Sequence, residues 1–197
     1  MTNRTATVER ATRETSIRAQ LVIDGSGKTD IRTGIGFLDH LLDSLARHAR
    51  FDLTLEARGD LHVDDHHTAE DSALALGEAL DRALGERRGI TRFGWAYAPL
   101  DEALARAVVD LSGRPFADVA LDLHRDRQDI GGLACENIPH VLRSLATAGR
   151  LTLHVDVLKG ENDHHKAEAA FKATALALRQ AVAPSGFDDV PSTKGTL

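Results

Sequence analysis

The chain repeats itself, and this duplication limits its possible folds more than any other feature. The segment HLLDSLARHARFDLTLEA from His40 matches HVLRSLATAGRLTLHVDV from His140 at an offset of 100 residues. HHTAE later matches HHKAE once two residues are removed from the intervening loop. Two copies in 197 residues predict two units of about ninety residues each. Upstream, the offset of 100 also sets Ile17, Ala19, Leu21 and Ile23 opposite Ala117, Val119, Leu121 and Leu123.

Each copy carries the same order of secondary-structure signals, because strand alternation and helical spacing follow one another in the same sequence. The first copy predicts two strands, a turn or loop, a helix, a strand and a long helix at residues 5–10, 16–24, 25–30, 37–49, 51–58 and 65–85. The second predicts strands at 103–111, 116–123 and 151–158, with helices from 136 and over 164–182. The unit ββαβα, present twice, predicts an α/β sandwich of sheet backed by helices.

The predicted organisation is one compact domain made of two halves. The first half covers residues 1–90, the second covers 91–183, and a C-terminal arm follows at 184–197. The arm, PSGFDDVPSTKGTL, is rich in Pro, Gly and Ser, which predicts irregular structure. It is either disordered or an arm that closes over a site.

Composition excludes several classes of partner. A net charge of −6 provides no positive field for nucleic acid. The single cysteine, Cys135, can form neither an internal disulfide nor a zinc site built from cysteines. The N-terminus has no apolar signal region, and no segment approaches the roughly 18 apolar residues of a membrane span. We therefore expect a cytoplasmic protein that binds neither nucleic acid nor a membrane.

Paired histidines are the strongest chemical signal. DHHTAED at 65–71 and DHHKAEA at 163–169 each place a glutamate one helical turn after two histidines. Adjacent helical residues diverge by about 100°, so His66 and His67 are poorly placed to share one ion and well placed to serve two. Glu70 neighbours both of them. With one histidine from each shorter helix, the predicted metal ligands are His40, His66, His67, Glu70, His140, His164, His165 and Glu168.

Imidazole and carboxylate ligands without thiolate suit Mn, Fe, Ni or Zn. One HHxxE motif is a weak signal, whereas two copies, each preceded by a histidine at the same repeat position, predict metal binding. His62 and His124 have no repeat partner and are interpreted as solvated, and His154 as exposed on a strand. His48, two turns beyond His40, either lines the same cavity or caps its helix.

Other charged residues surround these motifs in the sequence. Glu14 lies between strands, opposite Arg114 in the repeat, so we expect the pseudo-twofold to bring both toward the metals. Glu14 is either a catalytic carboxylate or a solvated turn residue. Lys172 follows His164 and His165 by two helical turns and can flank the ligand face. Candidate contacts to a phosphate are Arg92, Lys172, Ser192, Thr193 and Lys194.

Five segments together resemble the imidazoleglycerol-phosphate dehydratase family of histidine biosynthesis, at residues 34–48, 60–80, 97–115, 160–173 and 191–195. The resemblance covers nearly the whole chain. It implies a fold like domain 2 of ribosomal protein S5, a 24-subunit shell built from trimers, and two Mn²⁺ per active site at subunit interfaces. It also implies the eight ligands named above. The residues it implies for a phosphorylated small-molecule substrate are Glu14, His48, Arg92, Arg114, Lys172, Ser192, Thr193 and Lys194.

The reaction implied by this resemblance converts D-erythro-imidazoleglycerol phosphate to imidazole-acetol phosphate with loss of water. If each metal binds one ring nitrogen, the ring becomes an imidazolate that helps expel the neighbouring hydroxyl, giving a diazafulvene-like intermediate. Glu14 is the hypothesised base that takes the C2 proton, and His48 is assigned to the same catalytic group. The chain has no room for the phosphatase domain fused to this enzyme in some bacteria, so we expect it to be monofunctional.

Two other functions fit the ligand pattern alone. A dinuclear metallohydrolase would use metal-bound water as its nucleophile and would release phosphate from an ester. A structural assembly would use its ions to join subunits, with every coordination position taken by protein. Glu14 and the cationic residues suited to binding a phosphate argue against the structural role.

We expect activity and metal content to fall together as the pH drops through the histidine range, because a metal binds the neutral imidazole. Measuring the rate and the bound metal between about pH 8 and about pH 5 checks this. An acid limb that is flat in both quantities would contradict ligation by these histidines.

Overall fold

The computed structural model describes residues 4–124 and 128–197, so residues 1–3 of the predicted first half lie outside the described residues. The first half contains β1 (Thr5–Ala11), β2 (Thr15–Val22), β3 (Thr29–Arg32), α1 (Gly36–Ala49), β4 (Asp52–Gly59) and α2 (His66–Leu84). The second half contains β5 (Phe93–Leu100), β6 (Ala103–Asp110), β7 (Phe116–Ala120), a short hairpin of β8 (Asp129–Ile130) and β9 (Leu133–Ala134), α3 (Asn137–Ala148), β10 (Thr152–Lys159) and α4 (Asp163–Ala181).

Two four-stranded sheets enclose the helices. Their strand orders are β1-β2-β4-β3 and β5-β6-β10-β7, so each half repeats the same topology. In each sheet the last strand is parallel to its neighbour, and a short helix crosses between the two. The long helix α2 packs on β1 and β2, while α4 packs on β5 and β6. The predicted duplicated α/β sandwich is confirmed.

The apolar pattern places the core between the sheets. On α1, the residues at helical spacing are all buried, and they include Phe37, Leu41 and Leu45. On β4, Leu53 and Leu55 are buried and their sequence neighbours are not, as the alternation predicted. Among the described residues, no helix is both long enough and apolar enough to cross a membrane.

Three strand regions were missed by the sequence analysis. Residues 29 and 30, predicted to lie in a turn or loop, begin β3, a strand of four half-buried or exposed residues that carries little apolar signal. β5 was missed because its alternation is inverted: Trp95 and Tyr97 are exposed, while Gly94 is buried. A Cβ on Gly94 would lie 1.9 Å from the Ala177 carbonyl oxygen, so α4 approaches too closely for a larger residue. The hairpin β8–β9 was not predicted either and is found in the second half alone among the described residues. Apart from this hairpin, each half has the order βββαβα and not the predicted ββαβα.

The predicted upstream alignment of the repeat is wrong. β2 lies between β1 and β4 as β6 lies between β5 and β10, so Ile17 corresponds to Ala105 and not to Ala117. The upstream offset is therefore 88 residues, and twelve residues that include β8–β9 are inserted before α3. Strand alternation has a period of two, so any even offset superimposes one apolar face on another. By the corrected offset, Glu14 corresponds to Glu102 and not to Arg114.

Arg87 joins the end of α2 to the end of α3 in the other half. Its side chain is 3 % exposed. The guanidinium donates to the carbonyl oxygens of Gly149 and Arg150, each at 2.9 Å, and pairs with Asp81 at 2.5 Å. These contacts satisfy two carbonyl groups at the end of α3, where the last carbonyls of a helix have no partner within it.

We expect Arg87→Met to lower the free energy of unfolding by about 2–4 kcal/mol, because it leaves the two carbonyl groups and Asp81 without their donor. Urea unfolding measures the loss. Arg88→Met is the matched control: the Arg88 side chain is exposed and donates to the Asp188 carbonyl, so its loss should be under about 0.5 kcal/mol. Equal losses in the two variants would contradict the role of Arg87.

Candidate metal centre

One candidate centre combines helices of opposite halves. We call His40 of α1 with His164 and Glu168 of α4 the α1–α4 cluster. His40 Nε2 and His164 Nε2 lie 2.9 and 3.3 Å from the same oxygen, Oε2 of Glu168. The histidine and glutamate of α4 are four residues apart, so they share a helix face, and the packing of α1 against α4 brings in the third ligand.

The pseudo-twofold generates a second centre, the α2–α3 cluster, which consists of His66 and Glu70 of α2 with His140 of α3. His140 Nε2 lies 3.1 Å from Oε1 of Glu70, and His66 Nε2 lies 3.8 Å from Oε2 of the same residue. The imidazole rings of His66 and His140 are stacked with centroids 4.9 Å apart. Each cluster therefore takes one ligand from a short helix and two from the long helix of the opposite half.

Both clusters have a donor set and spacing that suit a divalent transition metal. Among the described residues, these are the two groups of at least three ligand-type side chains whose donor atoms all lie within 4.8 Å of one another. Metal–nitrogen and metal–oxygen bonds of about 2.0–2.2 Å place neighbouring ligand atoms at such separations. Two imidazoles and one carboxylate leave coordination positions open for further ligands.

Two polar residues orient His66. Asp65 accepts a hydrogen bond from Asn137 Nδ2 at 3.0 Å, which turns the amide oxygen of Asn137 toward His66 Nδ1 at 2.9 Å. Nδ1 of His66 therefore carries the proton, and Nε2 presents its lone pair to the cluster. Such hydrogen bonds fix the tautomer of a ligand histidine. The sequence analysis missed Asn137, whose repeat counterpart is Phe37, so the repeat offered no signal for it.

The second histidine of each pair lies outside its cluster. The His66 and His67 rings are 6.0 Å apart and nearly perpendicular, and His164 and His165 are 6.1 Å apart in the same arrangement. Each outlying imidazole has its own carboxylate partner. His67 Nδ1 lies 3.1 Å from Asp60, and His165 Nδ1 lies 2.7 Å from Glu102. The eight predicted ligands therefore divide into two groups of three and two single histidines.

The carboxylates raise the basicity of these two histidines. The hydrogen bond to Asp60 raises the pKa of His67, and the hydrogen bond to Glu102 raises the pKa of His165. The sequence analysis assigned no functional role to Asp60 or Glu102. Glu102 could have been found with the correct repeat offset, because that offset places it opposite Glu14.

The predicted base, Glu14, lies beside His67. Its Oε2 atom is 3.8 Å from His67 Nδ1, and its side chain is 55 % exposed. Arg114, which was expected to share this region through the repeat, instead lies in the turn between β6 and β7. There its guanidinium donates to the Ser112 carbonyl and lies 4.0 Å from Asp110. The two residues do not occupy equivalent positions, because the alignment behind that expectation is wrong.

Lys172 and His48 adjoin the α1–α4 cluster. Lys172 Nζ lies 2.7 Å from Oε1 of Glu168. Burial opposes ionisation of Glu168, but hydrogen bonds from Lys172 and His40 outweigh it and lower the pKa to about 2. Burial, together with the charge of Lys172, lowers the pKa of His48. Both residues therefore lie close enough to the cluster for their charges to matter.

The remaining predicted substrate contacts gather around Asp110. Arg92 donates to both carboxylate oxygens of Asp110, at 2.7 and 3.1 Å, and to the Pro191 carbonyl at 2.6 Å. It thereby holds the start of the PSTKG segment, where Lys194 N donates to Ser192 Oγ at 3.2 Å. Thr193 follows in an exposed turn. The C-terminal residue Leu197 packs against Gly113, so this part of the arm lies beside the Arg114 turn.

The other histidines have separate environments. His62 is in an exposed turn, and His154 is exposed on the outer face of β10. His124 is exposed, as expected, and its Nδ1 lies 2.7 Å from Asp163, a buried carboxylate at the start of α4.

A duplicated α/β sandwich with two imidazole–carboxylate clusters, each assembled across its halves, defines a class of candidate metalloprotein. Comparison with known proteins identifies the family. The family model for imidazoleglycerol-phosphate dehydratase matches residues 33–178. The chain belongs to the imidazoleglycerol-phosphate dehydratase family, a family of hydro-lyases.

Relatives and solved structures match most or all of the chain. The imidazoleglycerol-phosphate dehydratase of Candida glabrata is 54 % identical over 210 residues, covering 98 % of this chain and 99 % of that protein. The Saccharomyces cerevisiae protein of the same name is 50 % identical over 221 residues and the whole of both chains. The Pyrococcus furiosus crystal structure has a TM-score of 0.82 at 39 % identity, covering 96 % of this chain and 100 % of that one. The Staphylococcus aureus crystal structure has a TM-score of 0.81 at 32 % identity, covering 92 % of this chain and 99 % of that one.

Proposed function

We propose that this protein dehydrates D-erythro-imidazoleglycerol phosphate to imidazole-acetol phosphate in histidine biosynthesis. The proposed reaction requires divalent metal ions, two Mn²⁺ in each active site. The observation that carries the proposal is the pair of three-residue clusters related by the pseudo-twofold, in a chain of this family. A substrate imidazole has two ring nitrogens, and two ions are the number needed to bind both. When bound, the ions supply Lewis acidity that stabilises the ring as an imidazolate.

The outlying histidines support an active site shared between copies of the chain. His67 and His165 are partly exposed, and each is oriented by a carboxylate although it lies outside the cluster of its own chain. We assign them to clusters of neighbouring subunits, where each would add a further imidazole to a set of three ligands. On this assignment, metal binding requires the neighbouring subunit, and contact between subunits is stabilised by the bound metal.

An exposed aromatic surface also favours self-assembly. Phe93, Trp95, Tyr97 and Phe116 are 48–60 % exposed on the outer face of the second sheet. The corresponding face of the first sheet carries Thr5, Thr7, Glu9 and Arg18. Aromatic residues are enriched at protein interfaces, so the second sheet is the better candidate for contacts between subunits. The 24-subunit shell built from trimers and the cytoplasmic location remain predictions.

Within this reaction, Glu14 takes the proton from C2 after the hydroxyl next to the ring has left, which converts the diazafulvene-like intermediate to an enol. The enol then tautomerises to the ketone, and the net loss is one molecule of water. Glu14 suits this role because it lies close to His67, outside the group of ligands, with an exposed carboxylate. His48, beside the α1–α4 cluster, is assigned to the same catalytic group.

The phosphate is assigned to the cationic residues. Arg114 is 64 % exposed and can donate hydrogen bonds to a phosphate, while Arg92 is 13 % exposed and positions the C-terminal arm. Ser192, Thr193 and Lys194 follow Pro191 and would contribute hydroxyl, backbone and ammonium donors. Lys172 adds a positive charge beside the α1–α4 cluster. Binding at this end would orient the imidazole toward the metals.

Chelator-stripped protein should lack activity, and restored Mn²⁺ should return it, because the ions stabilise the charge that develops on the ring. Imidazoleglycerol phosphate is given to both samples, and products are followed by mass spectrometry and NMR. Metal-dependent loss of one water without free phosphate supports the dehydratase. Release of phosphate would indicate the hydrolase, and no reaction with metal bound and particles assembled would indicate a structural role for the ions.

Glu14→Gln is expected to lower kcat by at least about a hundredfold, because the amide cannot take a proton. Metal content and particle size should remain those of the wild type, since Glu14 is outside both clusters. Elemental analysis and light scattering provide these two controls. Retained turnover would remove Glu14 from the role of base.

A further inference from the structure

We propose that Glu102 positions His165 as a metal ligand, as Asp60 does for His67. Glu102 and Glu14 occupy equivalent positions in the two halves, so Glu14 is the one of these two carboxylates that remains available for proton transfer. This inference rests on the proposed function, because it concerns ligands of the same metal ions. It explains why a duplicated protein with two matched clusters would have one base.

Glu102 is held through both of its oxygens. Nδ1 of His165 donates to Oε2 at 2.7 Å, while the backbone N–H groups of Glu161 and Asn162 donate to Oε1 at 3.1 and 2.9 Å. Both oxygens of this carboxylate already accept hydrogen bonds, so it is held in place and orients the imidazole of His165.

The contacts fix which nitrogen of His165 faces outward. With its proton on Nδ1 and directed at Glu102, the ring presents the lone pair of Nε2. The carboxylate of Asp101 lies 3.9 Å from Nε2, beyond hydrogen-bonding distance, so this nitrogen remains accessible to an ion. Ligand histidines commonly bind the metal through one nitrogen and a carboxylate through the other.

The first half reaches the same result with a different residue. Nδ1 of His67 is held by the two oxygens of Asp60, at 3.1 and 3.2 Å, and Asp60 follows directly after β4. Glu14, the counterpart of Glu102, lies 3.8 Å from the same nitrogen and outside hydrogen-bonding distance. The position of Glu14 in the fold is thus retained in both halves, but its contacts differ.

The two halves differ just beyond the central strand that precedes each long helix. The register of β10 shifts by one residue between Val157 and Lys159, so Gly160 is the counterpart of Gly59. The contacts agree, because a Cβ on Gly160 would meet Ala103 and Lys166, the counterparts of the two residues that a Cβ on Gly59 would meet. The residue at the place of Asp60 is therefore Glu161, whose side chain is exposed and whose backbone N–H donates to Glu102. In this half it is Glu102 that accepts the Nδ1 proton of His165.

The test measures metal binding and not activity. Purified wild type, Glu102→Ala and Glu102→Gln are stripped and titrated with Mn²⁺, with bound metal counted by elemental analysis and the free ion followed by EPR. Wild type should hold two ions per chain. Glu102→Ala should bind one of them about 10–100-fold more weakly, as expected when the partner of a ligand histidine is lost. Glu102→Gln keeps an oxygen acceptor without the charge, so the loss should be smaller, roughly three- to tenfold.

Two controls separate positioning from loop structure. Glu161→Gln alters an exposed side chain in the same loop and should leave both ions bound as in wild type. The Glu102→Ala/His165→Asn double variant should bind metal no more weakly than His165→Asn alone, because Glu102 acts through that imidazole. Additive losses in this cycle would overturn the proposal. So would an unchanged Mn²⁺ affinity in Glu102→Gln together with a lower melting temperature of the metal-free protein, since that result assigns Glu102 to the loop.

Failure of the inference is distinguishable from failure of the proposed function. A wild type that binds two ions and dehydrates the substrate, with Glu102→Ala and Glu102→Gln binding both ions equally well, contradicts the positioning role alone. A wild type that takes up no Mn²⁺ removes the proposed function and this inference with it. If Glu102→Ala does not fold, the affinity of Glu102→Gln decides the outcome.

Discussion

The packing of each short helix against the long helix of the opposite half is the interaction on which the rest of the structure depends. α1 packs on α4, and α2 packs on α3. A single half has a histidine on its short helix and a histidine–glutamate pair on its long helix, but these do not meet within that half. Duplication therefore does more than enlarge the core, because each cluster exists only when both halves are folded together.

The two clusters have diverged around this shared plan. In the α1–α4 cluster, Glu168 is paired with Lys172, and the ring of Phe37 lies against His164 with centroids 4.8 Å apart. The α2–α3 cluster has Asn137 in place of Phe37, and its amide fixes the tautomer of His66. The two clusters therefore have the same ligand types in different surroundings. The surroundings of the α1–α4 cluster are more apolar and cationic, while the α2–α3 cluster is hydrogen-bonded to Asn137. Two ions bound there would differ in affinity and in the acidity of their other ligands.

Regular periodicity made most of the fold predictable. The helices of 37–49 and 65–85 and the strand of 51–58 were found because each buries one face at a fixed spacing, and their ends agree with the structure to within one residue. β5 was not predicted because its large residues point outward and its small ones inward. The false upstream register had a related cause: alternation identifies the face of a strand but does not say which strand lies beside it. The hydrogen bonds between strands supply that information, and they identify Glu102, and not Arg114, as the counterpart of Glu14.

The sequence by itself determined the ligand types, their duplication and the divergence of each histidine pair, because the 100° step of a helix separates neighbouring side chains wherever that helix lies. It also predicted a sandwich of two matched halves. The tertiary structure alone decided that His40 joins α4 and His140 joins α2, since these pairs are 124 or more and 70 or more residues apart in the chain. It likewise decided that Asp60 and Glu102 orient the outlying imidazoles. Such contacts depend on where strands and helices end in space, which no local period specifies.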